Sequence, residues 1–126
     1  METHYIFLAY HVGIASVFPL IKEKLANHAQ VSLLYYSSNH LYDFQKELGI
    51  LQYHFNSQLY ISYESDYTEH KGLLKNDNIE AIINANTIPN MCFIISGNQL
   101  FSERIKNVLL FLGANNIIVQ EQYFVA

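Results

Sequence analysis

Two short stretches carry the residues best suited to hold an anionic ligand: YHVGIAS at residues 10–16 and SGNQLF at residues 96–101. Each follows an apolar run and precedes a helical pattern, so each is a strand-to-helix turn. In the first, Gly13 lets a ligand approach the backbone, and the helix from Ala15 offers unpaired N–H groups and a positive dipole end. A pyrophosphate needs that arrangement, but a tight turn also favours glycine, and both readings stand. His11 can give an anion a hydrogen bond, or a charge when protonated; alternatively its ring fills space. Tyr10 can stack on a planar ligand or plug the cleft. In the second turn, Ser96 or Asn98 can satisfy the first amides of the next helix as a cap.

Other chemistries fit poorly. The chain has no Gly-x-x-x-x-Gly-Lys-Ser/Thr phosphate loop and no Gly-x-Ser-x-Gly elbow. Its six histidines, at 4, 11, 28, 40, 54 and 70, show no metal-ligand spacing with cysteine or paired carboxylates, so no metal is expected. A phosphoacceptor receiver domain needs acidic residues at the end of its first strand, where Tyr10 and His11 stand instead.

The elements that position these turns alternate. Nearly continuous apolar or aromatic runs at Tyr5–Ala9, Val31–Tyr36, Leu59–Tyr63, Cys92–Ile95 and Ile117–Val119 read as strands covered on both faces. Val17, Leu20, Ile21 and Leu25 form one helical stripe, with Pro19 placed in that helix's first turn, where proline is tolerated. Phe101, Ile105, Val108, Leu109 and Leu112 form another, which Gly113 can end. Weaker helices are expected over Tyr42–Leu48 and Ile79–Asn86, the latter with Ile79, Ile82 and Ile83 inward, and HKGLLKNDN and TIPN read as connectors. Right-handed crossovers then give a three-layer α/β/α sandwich, a mostly parallel five-stranded sheet in the order 3-2-1-4-5. In such sheets the turns after Ala9 and Ile95 lie side by side at the carboxyl rim, where ligands bind.

With 126 residues, 51% hydrophobic and 14% charged, the chain fits one domain over residues 1–126 that buries about two thirds of its unfolded surface. A net charge of −4 with seven Lys and Arg and no basic run argues against nucleic acid. No apolar stretch reaches the roughly 18 residues needed to cross a bilayer. The start METHYIFLAYH lacks the basic region of a signal peptide. A lone cysteine, Cys92, suits a reducing compartment, and a cytoplasmic protein is expected.

At the two turns the sequence resembles the nicotinamide-nucleotide-binding domain of the ferredoxin–NADP reductase superfamily. That family reads Gly-Gly-Thr-Gly-Ile-Thr-Pro after its first strand. AYHVGIAS keeps Gly13 and Ile14, with Tyr10 and His11 in place of two glycines and Ser16 in place of the proline. The family's Cys-Gly-Pro-x-x-Met resembles SGNQLF, which keeps Gly97 and carries Ser96, Asn98 and Phe101 in place of its partners. Phe44, Glu47 and Leu48 match a recurrent phenylalanine and Glu-Leu pair, Lys71 and Gly72 fall in register with a Gly-Arg-x-Gly connector, and Glu121 matches the acid of a closing Glu-x-Phe strand. Ser38 stands where members often place an arginine near a nucleotide phosphate, a loss that weighs more against NADP than against NAD.

The resemblance implies a module that binds NAD(H) or NADP(H). Gly13, Ile14 and Ser16, flanked by Tyr10 and His11, would line the pyrophosphate side; Ser96, Gly97 and Asn98 would face the nicotinamide. No counterpart of the family's flavin-binding barrel is expected within these 126 residues, so hydride transfer would need FAD on a flavin-carrying partner. Tyr123 and Phe124 can cover a flavin or pack the sheet edge. The alternative is a non-catalytic descendant that keeps the scaffold and acts through protein association. In either case the surface left by the missing barrel is expected to be covered in a homodimer.

Overall fold

A computed structural model describes residues 2–65, 68–69, 73–74 and 77–120. Strands β1 (Thr3–Tyr10), β2 (Gln30–Tyr36), β3 (Leu59–Glu64), β6 (Asn90–Ser96) and β7 (Ile117–Val119) form an all-parallel sheet in the order β3-β2-β1-β6-β7. This is the expected 3-2-1-4-5 arrangement. The two short strands β4 (Thr68–Glu69) and β5 (Leu73–Leu74) pair antiparallel, within a stretch that the sequence marks only as a connector.

Alternation along the strands builds two cores. Phe7 and Ala9 of β1 face α1 (Ile14–Ala26) and α2 (Gln45–His54), packing with Ile14, Val17, Ile21, Leu25 and Leu48. Ile6 and Leu8 face the other way, toward α3 (Asp77–Ala85) and α4 (Gln99–Phe111), packing with Ile79, Phe101, Ile105 and Leu109. Each fully buried aliphatic side chain contributes roughly 1.5–3 kcal/mol, so β1, covered on both faces, anchors the domain. Gly113 ends α4 as expected, with φ +92°.

Two helix expectations need correction. The second helix does not span Tyr42–Leu48; it begins at Gln45 and continues to His54. Side chains claim the backbone before it. Asn39 Oδ1 accepts from the Leu41 N–H at 3.1 Å, the Tyr35 hydroxyl accepts from the Asp43 N–H at 2.9 Å, and Phe44 adopts φ +61°. These bonds offer the chain an alternative to a helical ladder. Beyond them only Leu48 of α2 is buried, so the apolar pattern could not mark the helix's far end.

Pro19 is not in the first turn of α1 but at its sixth residue, because a 3₁₀ turn over His11–Gly13 runs straight into Ile14. It therefore removes the N–H that would have bonded the Ala15 carbonyl. Both residues lie on the exposed face, where water can solvate that carbonyl. Among the described residues, no helix is long and apolar enough to cross a membrane.

One polar chain interrupts the apolar interior. His4 is 6% exposed; its Nδ1 lies 3.0 Å from Asn86 Oδ1 and its Nε2 lies 2.8 Å from the Ser32 hydroxyl. Asn86 Nδ2 donates to the Ile88 carbonyl, so Oδ1 is the end that accepts from His4. Burial holds the imidazole below its ordinary value of 6.5, partly offset by the Asn86 bond, so it stays neutral near pH 7.

Pro19→Ala is expected to stabilise the fold by about 1 kcal/mol or more, with the restored helix bond outweighing the looser unfolded chain; urea unfolding measures this. For His4, the unfolded chain takes up a proton below its reference value of 6.5 that the folded site resists. Stability is therefore fully present above that value and is lost as pH falls toward the depressed folded value. Urea titrations at about pH 7.5 and about pH 5.5 should show the loss, and His4→Gln should shrink it.

Candidate functional site

The turns after β1 and β6 meet at the carboxyl rim, and their contact is backbone against backbone. A Cβ placed on Gly13 would collide with the Ser96 carbonyl oxygen and lie 2.7 Å from its carbon. Gly13 has φ −58°, which any residue can adopt. Its missing side chain therefore serves close approach to β6, rather than an unusual turn conformation or an open ligand cradle. The buried Ser96 hydroxyl locks the contact by donating to the Gly13 carbonyl at 2.8 Å.

His11, not Gly13, carries the left-handed backbone of the first turn, with φ +51°. Non-glycine residues visit this region at a cost and need support from their surroundings. That support is visible. The Tyr35 hydroxyl donates to the His11 carbonyl at 3.2 Å, His11 Nε2 lies 3.1 Å from the Ser38 hydroxyl, and the Tyr10 ring meets the imidazole edge-on at 4.2 Å. Burial pushes the Tyr35 phenol far above its ordinary range, so it remains a donor at any physiological pH.

The second turn is filled from within. A Cβ on Gly97 would lie 2.5 Å from Phe101 Cδ2 and 3.0 Å from Tyr10 Cβ. Phe101 is fully buried, stacked on Tyr10 at 5.2 Å and edge-on to Tyr36 at 5.3 Å. Asn98, not Ser96, caps α4, its Oδ1 accepting from the Phe101 N–H at 2.8 Å.

The structure thus brings Tyr10, His11, Gly13, Ser96, Gly97 and Asn98 together at one rim, with Ser16 half-buried in the first turn of α1. Ile14 is fully buried in the core, so only its backbone can meet a ligand. A diphosphate does not fit between the two turns, because the Gly13–Ser96 contact and the Tyr10–Phe101 stack occupy that space. The outer edge, where His11, Ser16, Ser38 and Asn98 offer polar atoms, is the part that can face a ligand; neither turn contains a Lys or Arg. Tyr35 and Tyr36 escaped the sequence-based site, although adjacent tyrosines ending a strand must point to opposite faces; Phe101 was placed at the second turn, but its stacking on Tyr10 was not legible there. Lys71, Gly72, Glu121, Tyr123 and Phe124 lie outside the described residues.

Five parallel strands in this order, with helices on both faces and paired turns at the carboxyl rim, define an open three-layer α/β fold. Among solved structures, the chain is similar to the CS-b5R domains of human Ncb5or in the NAD+ form, with a TM-score of 0.74 and 14% identity. The match covers 94% of this chain and 36% of that one, so the chain spans about a third of the neighbour's length. No protein-family model matches the chain, and no curated protein does.

Gly13→Ala should cost of order 3 kcal/mol in urea unfolding, because β6 backbone would have to move to admit one methyl group. Gly97→Ala should cost less, since the Phe101 ring can shift more easily than a strand.

Proposed function

We propose that the chain is a reductase-type module that binds NAD(P)H along the outer edge of this rim and works with a flavin held by another polypeptide. The observation that carries this reading is the rim itself. The two turns stand side by side at the sheet's switch point, in a domain whose likeness to a reductase extends over nearly the whole chain. His11 and Ser38 would meet the adenosine side, Ser16 and the first turn of α1 the pyrophosphate, and Asn98 the nicotinamide side. Bound NAD(P)H would supply a hydride, two electrons and a proton, to the partner's FAD; this chain's residues bind and orient. With Ser38 where a phosphate-binding arginine would help, NADH is the favoured form. Self-association belongs to the same proposal: Leu110 and Phe111 at the end of α4 and Ile118 and Val119 of the edge strand β7 are exposed apolar residues, and a homodimer would cover them.

A second reading has its own observation. The Tyr10–Phe101 stack occupies the crevice between the turns, as expected of a non-catalytic descendant that acts through protein association.

Titration with NADH and NADPH, with and without FAD, separates the two. The first reading expects micromolar to submillimolar binding, tighter for NADH. Ser16→Asp should weaken it strongly, because a carboxylate there repels a diphosphate while favouring the helix end itself, so the fold survives. No binding at millimolar nucleotide leaves the second reading. Light scattering on the eluting protein tests the dimer.

A further inference from the structure

At the other end of the sheet, the amino ends of β1, β2 and β3, one face of α3 and the residues just after it form a solvent-open cavity of about 510 Å³. Its size lies within the range of small-molecule sites. Parallel register builds its polar side. His4 pairs with Gln30, so Ser32, two residues on, shares its face and comes within reach of the imidazole. Ala81, Ile82 and Ala85 of α3 supply an apolar wall, while Gln30, Tyr60 and Thr87 add polar groups at the edge. Among the described residues lining the cavity, none carries a formal charge near pH 7.

The hydrogen-bond chain gives this cavity a defined polarity. Asn86 Oδ1 can only accept, so His4 Nδ1 carries the proton and Nε2 is a bare acceptor. The Ser32 proton is therefore committed to Nε2 at 2.8 Å. Ser32, 3% exposed at the cavity's floor, can therefore offer a ligand only an oxygen lone pair. A charged group set against the buried His4 and Ser32 would lose part of its hydration with nothing of opposite sign to meet it. A neutral ring bearing an N–H would meet the serine oxygen with that N–H, set its flat face on the alanine wall, and turn an adjacent carbonyl to the amide or hydroxyl donors of Gln30 and Thr87.

We propose that this cavity is a second small-molecule site, separate from the rim, that takes an uncharged cyclic amide of the lactam or nucleobase type through the Ser32–His4–Asn86 chain. It does not depend on NAD(P)H binding, and nucleotide titrations leave it untested.

The test uses 2-pyridone and uracil as neutral probes and benzoate and benzylamine as charged controls, read by NMR of the His4 imidazole and the Asn86 side-chain amide. The neutral probes should shift both groups with a saturable, millimolar or tighter dissociation constant, and the controls should not. Ala85→Leu and Ala81→Leu each fill the cavity from an exposed helix position. Either should abolish the shifts while thermal unfolding remains cooperative. Ser32→Ala should weaken binding several-fold. The proposal is overturned if the neutral probes give no saturable shift, if the charged controls bind as well, or if binding survives both cavity-filling variants.

Discussion

The close approach of Gly13 to the backbone of Ser96 sets the geometry of the whole rim. Two parallel neighbours, β1 and β6, end at the same level, and each hands the chain to a helix on the opposite face of the sheet. The departing backbones must pass each other at the point of divergence. Removing one side chain lets them do so, and one buried hydroxyl ties the two turns together by donating to the Gly13 carbonyl. The separation of α1 from α4 follows from this contact.

With the turns packed so closely, the space a ligand could have occupied between them is already used. Tyr10 and Phe101 extend the core of the α3–α4 layer outward to the rim, and Tyr36 joins them from β2. The stack gains apolar burial and ring-on-ring contact. The price is ligand room, so polar chemistry moves to the outer edge at His11, Ser16 and Asn98. The same residues that make this rim stable also restrict what can dock on it.

The architecture was largely legible because its signals are local and repeated. β-branched and aromatic runs marked all five sheet strands, and the stripes through Val17–Leu25 and Phe101–Leu112 marked two helices. Legibility failed where side chains override the backbone's preference. Ser37, Asn39 and Tyr35 bond the chain between β2 and α2, so Tyr42–Phe44 stay out of the helix. Pro19 misled because the 3₁₀ turn moved the helix start earlier than proline placement suggests. At the site, the turns and their adjacency were readable, but the purpose of Gly13 was not: its neighbour lies 83 positions away in the chain. Nor could pattern alone show that His4, Ser32 and Asn86 meet, since they lie in β1, in β2 and just after α3.

Tyr35 gives the rim one further property. Its hydroxyl donates to the His11 carbonyl and accepts from the Asp43 amide, so a single oxygen clasps the β1 turn to the loop leading into α2. Because the left-handed backbone at His11 rests on that clasp, the turn and the loop share one mechanical state. Removing that one oxygen would therefore release the carbonyl of the turn and the amide of the loop at once.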